Sequence, residues 1–151
     1  MKGACKIVAE ALDHVKGQVR VGMTGEEVDE LFHDFIVAKQ AYPSGEGFMG
    51  FPKAVCISTN DSRLQLMDPV LCHGVPNNRR FQEGDFTNLD ITCYKNGFFG
   101  DTSMMVTFGE VDAEVRRMIE VAQQALYNAI RICKPGVKIS EVAKAIEYRG
   151  C

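Results

Sequence analysis

Apolar residues recur every three or four positions near the start of the chain, and this spacing predicts two amphipathic helices. Thr24 and Glu27 form a T-x-x-E capping box directly before the second helix. The first apolar stripe contains Ala4, Ile7, Val8, Ala11, Leu12 and Val15, and the second contains Val28, Leu31, Phe32, Phe35 and Ile36. Both helices are therefore expected to lay one face on a common core.

Alternating apolar and polar residues follow a loop rich in glycine and proline, AYPSGEGFMGFP, and indicate a sheet. Asn96-Gly97 is the strongest hairpin signal in the chain, because both central positions of a type I′ turn need a positive φ. The last two strands are therefore expected to form an antiparallel hairpin. The predicted strands are Ala54–Thr59, Val70–His73, Phe86–Tyr94 and Phe98–Phe108.

A second pair of helices is predicted after the strands. Asp112 is the expected N-cap of the third helix, which Lys134-Pro135-Gly136 ends, and a short helix follows near residues 140–148. The apolar face of the third helix contains Val115, Met118, Ile119, Ala122, Leu126, Ala129 and Ile130.

These late helices resemble the first two when the chain is shifted by 114 residues. Both copies consist of a helix, a break at a glycine and a second helix. The shift places Ala11, Leu12, Gly22, Glu27 and Val28 on Ala125, Leu126, Gly136, Glu141 and Val142. We expect an incomplete second repeat, because the first copy continues into strands and the second does not.

Two acidic residues lie on the predicted hairpin. Closing the turn at Asn96-Gly97 sets Thr92 opposite Asp101, and Asp90 shares the face of Thr92. The two aspartates are then diagonal neighbours roughly 7–8 Å apart at the backbone. Such a pair is able to bind one cation or bridge two, although two ligands do not complete a site. The alternative is that both aspartates face solvent near the turn, or that a bulge separates their faces.

Composition and charge narrow the classes of function. A chain of 151 residues with 46% hydrophobic residues is expected to form a single globular domain, or part of a larger one. The net charge of −3 argues against nucleic acid and membrane-surface partners, and no apolar run reaches the ~18 residues that span a bilayer. The start lacks the apolar stretch of a signal peptide, and the six cysteines form no CxxC pair. We therefore expect a cytoplasmic protein, with organelles not excluded, and reduced, mostly packed thiols.

Three motifs, GFPKAVCIST, VLCHGVP and FQEGDFTNLDITCYKNGFFGDTS, occur in this order along the chain. Together they resemble the type I methionine aminopeptidases of the pita-bread metallopeptidase family. The resemblance implies an α+β fold in which helices flank a curved antiparallel sheet, apparently truncated in its second half. It also implies that residues 1–151 are part of a methionine aminopeptidase catalytic domain.

The family resemblance implies a role for six residues. Asp90 and Asp101 correspond to metal ligands, and His73 corresponds to a catalytic histidine that contacts the substrate backbone near the scissile bond. Phenylalanine occupies two pocket positions where the family usually has tyrosine, which keeps an apolar wall without a phenolic hydrogen bond. The residues matched to the methionine pocket are Phe48, Phe51, Cys56 and His73.

Each assignment has a purely structural alternative. His73 could be a strand-end histidine hydrogen-bonded to backbone, and Phe48 and Phe51 could be core residues beneath a loop. Cys56 and Cys72 could be small buried hydrophobic residues. Even within the family reading, these two cysteines line a pocket and are not nucleophiles.

The chemistry that the resemblance implies is metal-dependent removal of the N-terminal methionine from peptides and nascent proteins. A complete family site contains two divalent ions, and cobalt, manganese, iron and zinc all suit its oxygen-rich ligands. The substrate is a chain with an N-terminal methionine and a small second residue.

This chain is expected to depart from the family pattern in three further ways, the first of which is that Met1 falls near the start of the first helix, where the family customarily has an N-terminal extension. The family's metal-binding histidine and both glutamates fall beyond its last residue, and SRLQLMDP, residues 62–69, is an eight-residue addition before the CHG motif. The addition is either a lid-like insertion or misread coding sequence. Two alternatives to the enzyme therefore stay open: a non-catalytic fragment that binds a peptide or a partner protein, and a truncated product with no function of its own. An exposed sheet edge would favour self-association.

Overall fold

The computed structural model describes residues 1–60 and 72–147, which divide into two compact units, Met1–Val111 and Asp112–Cys151. The added segment at residues 62–69 lies outside the described residues, as does the start of the strand predicted at Val70–His73. Cys72 and His73 are described and are not in a strand, so that prediction is wrong for them. The reason is local, because among the described residues this segment meets β2 through a backbone hydrogen bond from the Ile57 amide to the Gly74 carbonyl (2.8 Å) and is not part of a strand pairing there.

Two helices open the first unit, as predicted. Helix α1 spans Lys2–Lys16 and helix α2 spans Gly25–Ala38. The Thr24 hydroxyl accepts a hydrogen bond from the Glu27 amide (3.2 Å), and the Glu27 carboxylate accepts one from the Thr24 amide (2.7 Å). This reciprocal pair satisfies two of the donors that a helix start leaves open, so the capping box fixes where α2 begins.

Four antiparallel strands form the sheet of the first unit. They are β1 (Tyr42–Pro43), β2 (Val55–Asn60), β3 (Phe86–Lys95) and β4 (Phe98–Thr107). Strand β3 is central, because β4 pairs along one side of it while β2 and β1 pair in succession along the other. Within the described residues, β4 is an edge of the sheet.

The β3–β4 hairpin has the predicted turn and register. Asn96 and Gly97 have φ angles of 51° and 85°, as a type I′ turn requires. Thr92 pairs with Asp101, and the pairing is continuous from the turn to the far end of both strands. A bulge between the two aspartates is therefore ruled out.

The two faces of β3 have different environments. Thr87, Leu89, Ile91 and Cys93 are fully buried and face the core. The intervening residues lie on the opposite face, where burial is partial. The core beneath the helices includes Val8, Val15, Val28, Phe32, Ile36, Val55, Leu89 and Ile91.

Helix α1 crosses the hairpin at unusually close range. A Cβ atom built on Gly100 would lie 2.4 Å from the Ala4 carbonyl carbon and 2.5 Å from the Cys5 amide nitrogen. No side chain fits at this position, so glycine is required for α1 to rest on β4. The same contact holds the segment that leads directly into Asp101.

The prediction that most thiols are packed is wrong. Cys93 is buried because it lies on the core face of β3, and Cys56 is half-buried, whereas Cys5, Cys72 and Cys133 are exposed. Exposure follows position, since Cys5 lies on the outer side of α1 and Cys133 follows the end of a helix. All five are free thiols in the described part of the chain.

The second unit is a pair of helices, α3 (Ala113–Ile132) and α4 (Ile139–Glu147), that contact each other. Asp112 is the N-cap by position, although its side chain makes no capping hydrogen bond. Gly136 between these helices and Gly22 between α1 and α2 have φ angles of 90° and 89°, which agrees with the predicted repeat. No helix in the described ranges is long and apolar enough to span a membrane.

Candidate active site

The sheet face opposite the core carries rows of side chains across the strands. One row consists of Cys56, Asp90 and Ser103, which are paired directly. The next row contains Thr92 and Asp101. Each aspartate therefore lies one row from the other, on adjacent strands and on the same face, as the hairpin register predicts.

Ser44 extends the second row on the far side of β3. Its amide donates a hydrogen bond to the Thr92 carbonyl (3.1 Å), just beyond β1. Tyr94 and Phe99 form the row nearest the turn, with their ring centroids 5.1 Å apart. The polar rows are thus bordered by an aromatic row at the turn end of the hairpin.

A cavity of about 690 Å³ lies over these rows. It is lined by all six residues that the motifs assign to the site. These residues come from four separate segments of the chain. The side chains that the sequence assigned are Phe48, Phe51, Cys56, His73, Asp90 and Asp101. A cavity of this size suits a side chain together with a few backbone atoms.

The two carboxylates influence each other. Asp90 is half-buried and Asp101 is exposed. Burial raises the pKa of Asp90 above its usual range, repulsion by Asp101 and a hydrogen bond with Asp101 raise it further, and His73 opposes these effects. A carboxyl group in this position is more stable when it is protonated or when a cation neutralises the pair.

The two carboxylates are oxygen donors of the kind that bind divalent cations, and they would supply part of a metal site. The cavity lining includes two carboxylates and no lysine or arginine within the described residues. Carboxylate oxygens suit manganese, iron, cobalt and zinc. Within the same residues, no group of three or more His, Cys, Asp or Glu side chains is placed to hold a metal ion. Two carboxylates do not complete a coordination sphere, so a metal ion bound here would need further ligands.

His73 lines the cavity and is an exposed residue. Its Nε2 atom is 3.7 Å from the Cys72 sulfur. The backbone hydrogen bonds that hold this segment are made by Gly74, whose carbonyl accepts from Ile57 and whose amide donates to the Ser58 hydroxyl. The imidazole is thus positioned by its neighbours and faces the cavity.

Cys56 is suited to line the cavity wall and unsuited to act as a nucleophile. Burial raises its pKa to about 11, with further contributions from the charges of Asp90, Cys72 and Asp101. At neutral pH the group is therefore a neutral thiol, and only the thiolate is a strong nucleophile.

Phe48 and Phe51 lie on a loop that folds over the cavity. Phe48 is 67% exposed, so the alternative that it is a core residue is wrong. Glycines permit this fold, because Gly47 and Gly50 have φ angles of 82° and 83°. The Gly47 amide donates to the Phe51 carbonyl (2.7 Å), and this hydrogen bond closes the loop.

The cavity also includes residues that the sequence did not assign. Thr92 lies between the two aspartates, and its place follows from the predicted register. Phe99 shares the face of Asp101, again by register. The position of Ser44 in the cavity depends on the pairing of β1 with β3. A strand of two residues is too short to show a periodic sequence pattern, so this position could not be predicted.

The model of metallopeptidase family M24 matches residues 1–148. The chain belongs to this family. It is 38% identical to methionine aminopeptidase 1B, chloroplastic, of Arabidopsis thaliana over 97% of its own length and 37% of that protein. It is 35% identical to a methionine aminopeptidase of Rickettsia prowazekii over 97% of its length and 54% of that protein. The family named from the motifs is thus confirmed.

Solved structures agree on the fold. The crystal structure of methionine aminopeptidase from Rickettsia prowazekii matches with a TM-score of 0.90 at 34% identity, over 98% of this chain and 56% of that one. The Xaa-Pro dipeptidase from Bacillus anthracis matches with a TM-score of 0.76 at 21% identity, over 98% of this chain and 38% of that one, and is similar in fold alone. The predicted pita-bread architecture is confirmed. The chain spans between about a third and just over half of the length of these proteins.

Proposed function

We propose that this M24 chain forms the methionine-binding and part of the metal-binding site of a methionine aminopeptidase, which removes the N-terminal methionine from peptides and nascent proteins. The observation that carries the proposal is the meeting of two carboxylates, an exposed histidine and an apolar loop in one cavity. Residues 1–151 are, on this proposal, part of the catalytic domain. The similarity to methionine aminopeptidases over almost the whole chain supports it.

Asp90 and Asp101 would hold divalent ions, two in a complete site, and cobalt, manganese, iron or zinc are the candidates. Bound ions supply a polarised scissile carbonyl and a water of lowered pKa. Further ligands are required from outside the described residues, whether on the same polypeptide or on another.

The other cavity residues bind and orient the substrate. Phe48 and Phe51 offer apolar surfaces that receive the methionine side chain and exclude water. Cys56 contributes a neutral thiol to the same wall, because its pKa is raised to about 11. His73 lines the same cavity, where its ring would hydrogen-bond the substrate backbone beside the scissile bond.

The test is methionine release from the peptide Met-Gly-Ser in the presence of manganese or cobalt, with Asp101→Asn as the paired variant. We expect release that the substitution abolishes, because Asn neither carries the charge nor binds these ions as strongly. Equal release by both proteins would overturn the proposed role of the carboxylate pair.

A second function, peptide binding without catalysis, is favoured by one observation. The described residues do not group three metal-ligating side chains. Binding of Met-Gly-Ser without any methionine release from folded, metal-supplemented protein would support this function over the first.

Two further points are part of the proposal. We place the protein in the cytoplasm or an organelle, since the similar proteins include chloroplastic and mitochondrial ones. Strand β4 is an edge of the described sheet, and self-association through it would appear in sedimentation as a concentration-dependent dimer.

A further inference from the structure

One wall of the cavity is a short stretch of chain, residues 51–56, which we call the pocket wall. Phe51, Pro52, Ala54 and Cys56 of this stretch line the cavity. It joins the glycine-rich loop to β2, so its first residues are outside any strand. Something other than the sheet must therefore fix Phe51, Pro52 and Ala54, whereas Cys56 already pairs within the sheet.

A buried carboxylate on α2 provides that fixation. The Asp29 Oδ1 atom accepts hydrogen bonds from two consecutive amides, Ala54 (2.8 Å) and Val55 (3.1 Å). Asp29 is only 8% exposed, and Ala54 and Val55 are 2% and 1% exposed. Buried amides need a partner, so this single oxygen satisfies two donors at the point where the pocket wall enters β2.

The second carboxylate oxygen faces a lysine of the same stretch. The Lys53 ammonium lies 3.8 Å from Asp29 Oδ2 and forms an ion pair with Glu26, one turn earlier on α2. Three consecutive residues of the pocket wall, 53 to 55, are thus bound by acidic side chains of one helix. The capping box at Thr24 fixes the start of this helix in turn.

The opposite side of the pocket wall is also occupied. A Cβ atom built on Gly45 would lie 3.2 Å from the Ala54 carbonyl oxygen and 3.3 Å from that of Lys53. The amides of the wall therefore point to Asp29 and its carbonyls approach the glycine-rich loop. Removing the Asp29 acceptor would leave two buried amides unpaired on one side of the pocket wall and loosen it there.

We propose that Asp29 is a positioning residue for the methionine pocket, which holds the pocket wall so that Ala54 and Cys56 present a fixed surface to the substrate side chain. It touches neither the metal ligands nor the substrate. The inference rests on the proposed function for the identity of the ligand. The geometry separates two roles, because Asp90 and Asp101 are joined by the β3–β4 hairpin, and the pocket wall meets β3 only at its last two residues, Val55 and Cys56.

The test compares Asp29→Ala and Asp29→Asn, with Glu30→Gln as a matched control on the exposed side of the same helix. Binding of Met-Gly-Ser and of Mn²⁺ is measured by calorimetry, and alkylation of Cys56 is followed by peptide mapping in metal-free protein. We expect Asp29→Ala to weaken peptide binding by about tenfold, the equivalent of two modest hydrogen bonds, and to change Mn²⁺ affinity less than about twofold. Alkylation of Cys56 should rise by about threefold or more as the wall loosens.

Asp29→Asn keeps an oxygen acceptor and should retain most peptide affinity. If Asp29→Ala does not fold, Asp29→Ser is used, whose hydroxyl falls one bond short of the amides and should give the same signature at smaller amplitude. Unchanged Cys56 alkylation, or an equal loss of Mn²⁺ and peptide affinity, would overturn the proposal. If the wild-type protein binds no peptide, the proposed function is refuted. The role of Asp29 is still tested in that case, because the alkylation of Cys56 does not depend on peptide binding.

Discussion

Replacing Gly100 by alanine should destabilise the first unit through a steric conflict that the structure locates. The new Cβ atom would lie 2.4–2.5 Å from backbone atoms of Ala4 and Cys5. Carbon atoms in contact normally lie about 3.5–4.0 Å apart, so α1 has to move by roughly 1 Å from the sheet. Backbone atoms cannot rotate away as a flexible side chain would.

The expected cost is about 3 kcal/mol, the upper end of the range for overpacked cores, because the moving element is a whole helix with five buried residues. Gly3→Ala is the matched control, since a Cβ at Gly3 meets nothing within 4 Å and alanine favours the helix. That substitution should stabilise by about 0.5 kcal/mol or more.

Urea unfolding followed by circular dichroism measures both free energies. We expect the two substitutions to have opposite signs and to differ by about 3–4 kcal/mol. If Gly100→Ala costs less than about 0.5 kcal/mol, α1 does not approach the hairpin as closely as described. The packing argument would then fail, together with the argument that this contact supports Asp101.

Three further predictions concern the cavity. Asp90→Asn should stabilise metal-free protein at pH 7 by about 1 kcal/mol, because it removes repulsion from the exposed Asp101. Since the folded pKa of Asp90 is raised, the contribution of Asp90 to stability is fully present below about pH 4 and is lost as pH rises through that pKa, so the free energy of unfolding of the wild type minus that of Asp90→Asn should fall with pH in paired urea series. Iodoacetamide should modify Cys56 more slowly than the exposed Cys5 at pH 7.5, and the rate should climb until about pH 11; fast modification at pH 7.5 would contradict the burial of Cys56. Ser44→Ala should leave stability unchanged or raise it by about 1 kcal/mol, because its buried hydroxyl has no hydrogen-bond partner within the described residues; a loss above 1 kcal/mol in thermal unfolding would reveal a partner.

The hairpin was predictable because its rules are local. Asn96-Gly97 selects one turn type, and strict alternation then fixes which residues pair, down to Thr92 with Asp101. The helix starts follow in the same way from the capping box and the apolar stripes. These features depend on interactions between residues that are close in sequence, so the local sequence is sufficient to predict them.

Features that depend on distant contacts were missed. Strand β1 has two residues and exists because Tyr42 and Pro43 meet β3 across the sheet. The two amides bound by Asp29 lie 25 and 26 residues away along the chain. No local sequence pattern therefore indicates that Asp29 accepts these hydrogen bonds. The exposure of Cys72 was likewise unpredictable, because it depends on a segment that pairs through Gly74 and not through a strand.

The candidate site was predictable only in part. Motif resemblance assigned six residues, and register alone explains why Asp90 and Asp101 share a face. Their meeting with Phe48 and His73 needs the glycine-rich loop to fold back over the sheet, which depends on the backbone conformations of Gly47 and Gly50. Composition and spacing do not specify that closure.

The central claim is that the Asp90–Asp101 pair binds a divalent cation. Calorimetric titration of Mn²⁺ into the wild-type protein and into Asp101→Asn tests it most directly, with Glu30→Gln as a charge-matched control. We predict binding by the wild type and the control, and an affinity at least about tenfold lower for Asp101→Asn. Equal Mn²⁺ affinity in all three proteins would contradict the claim.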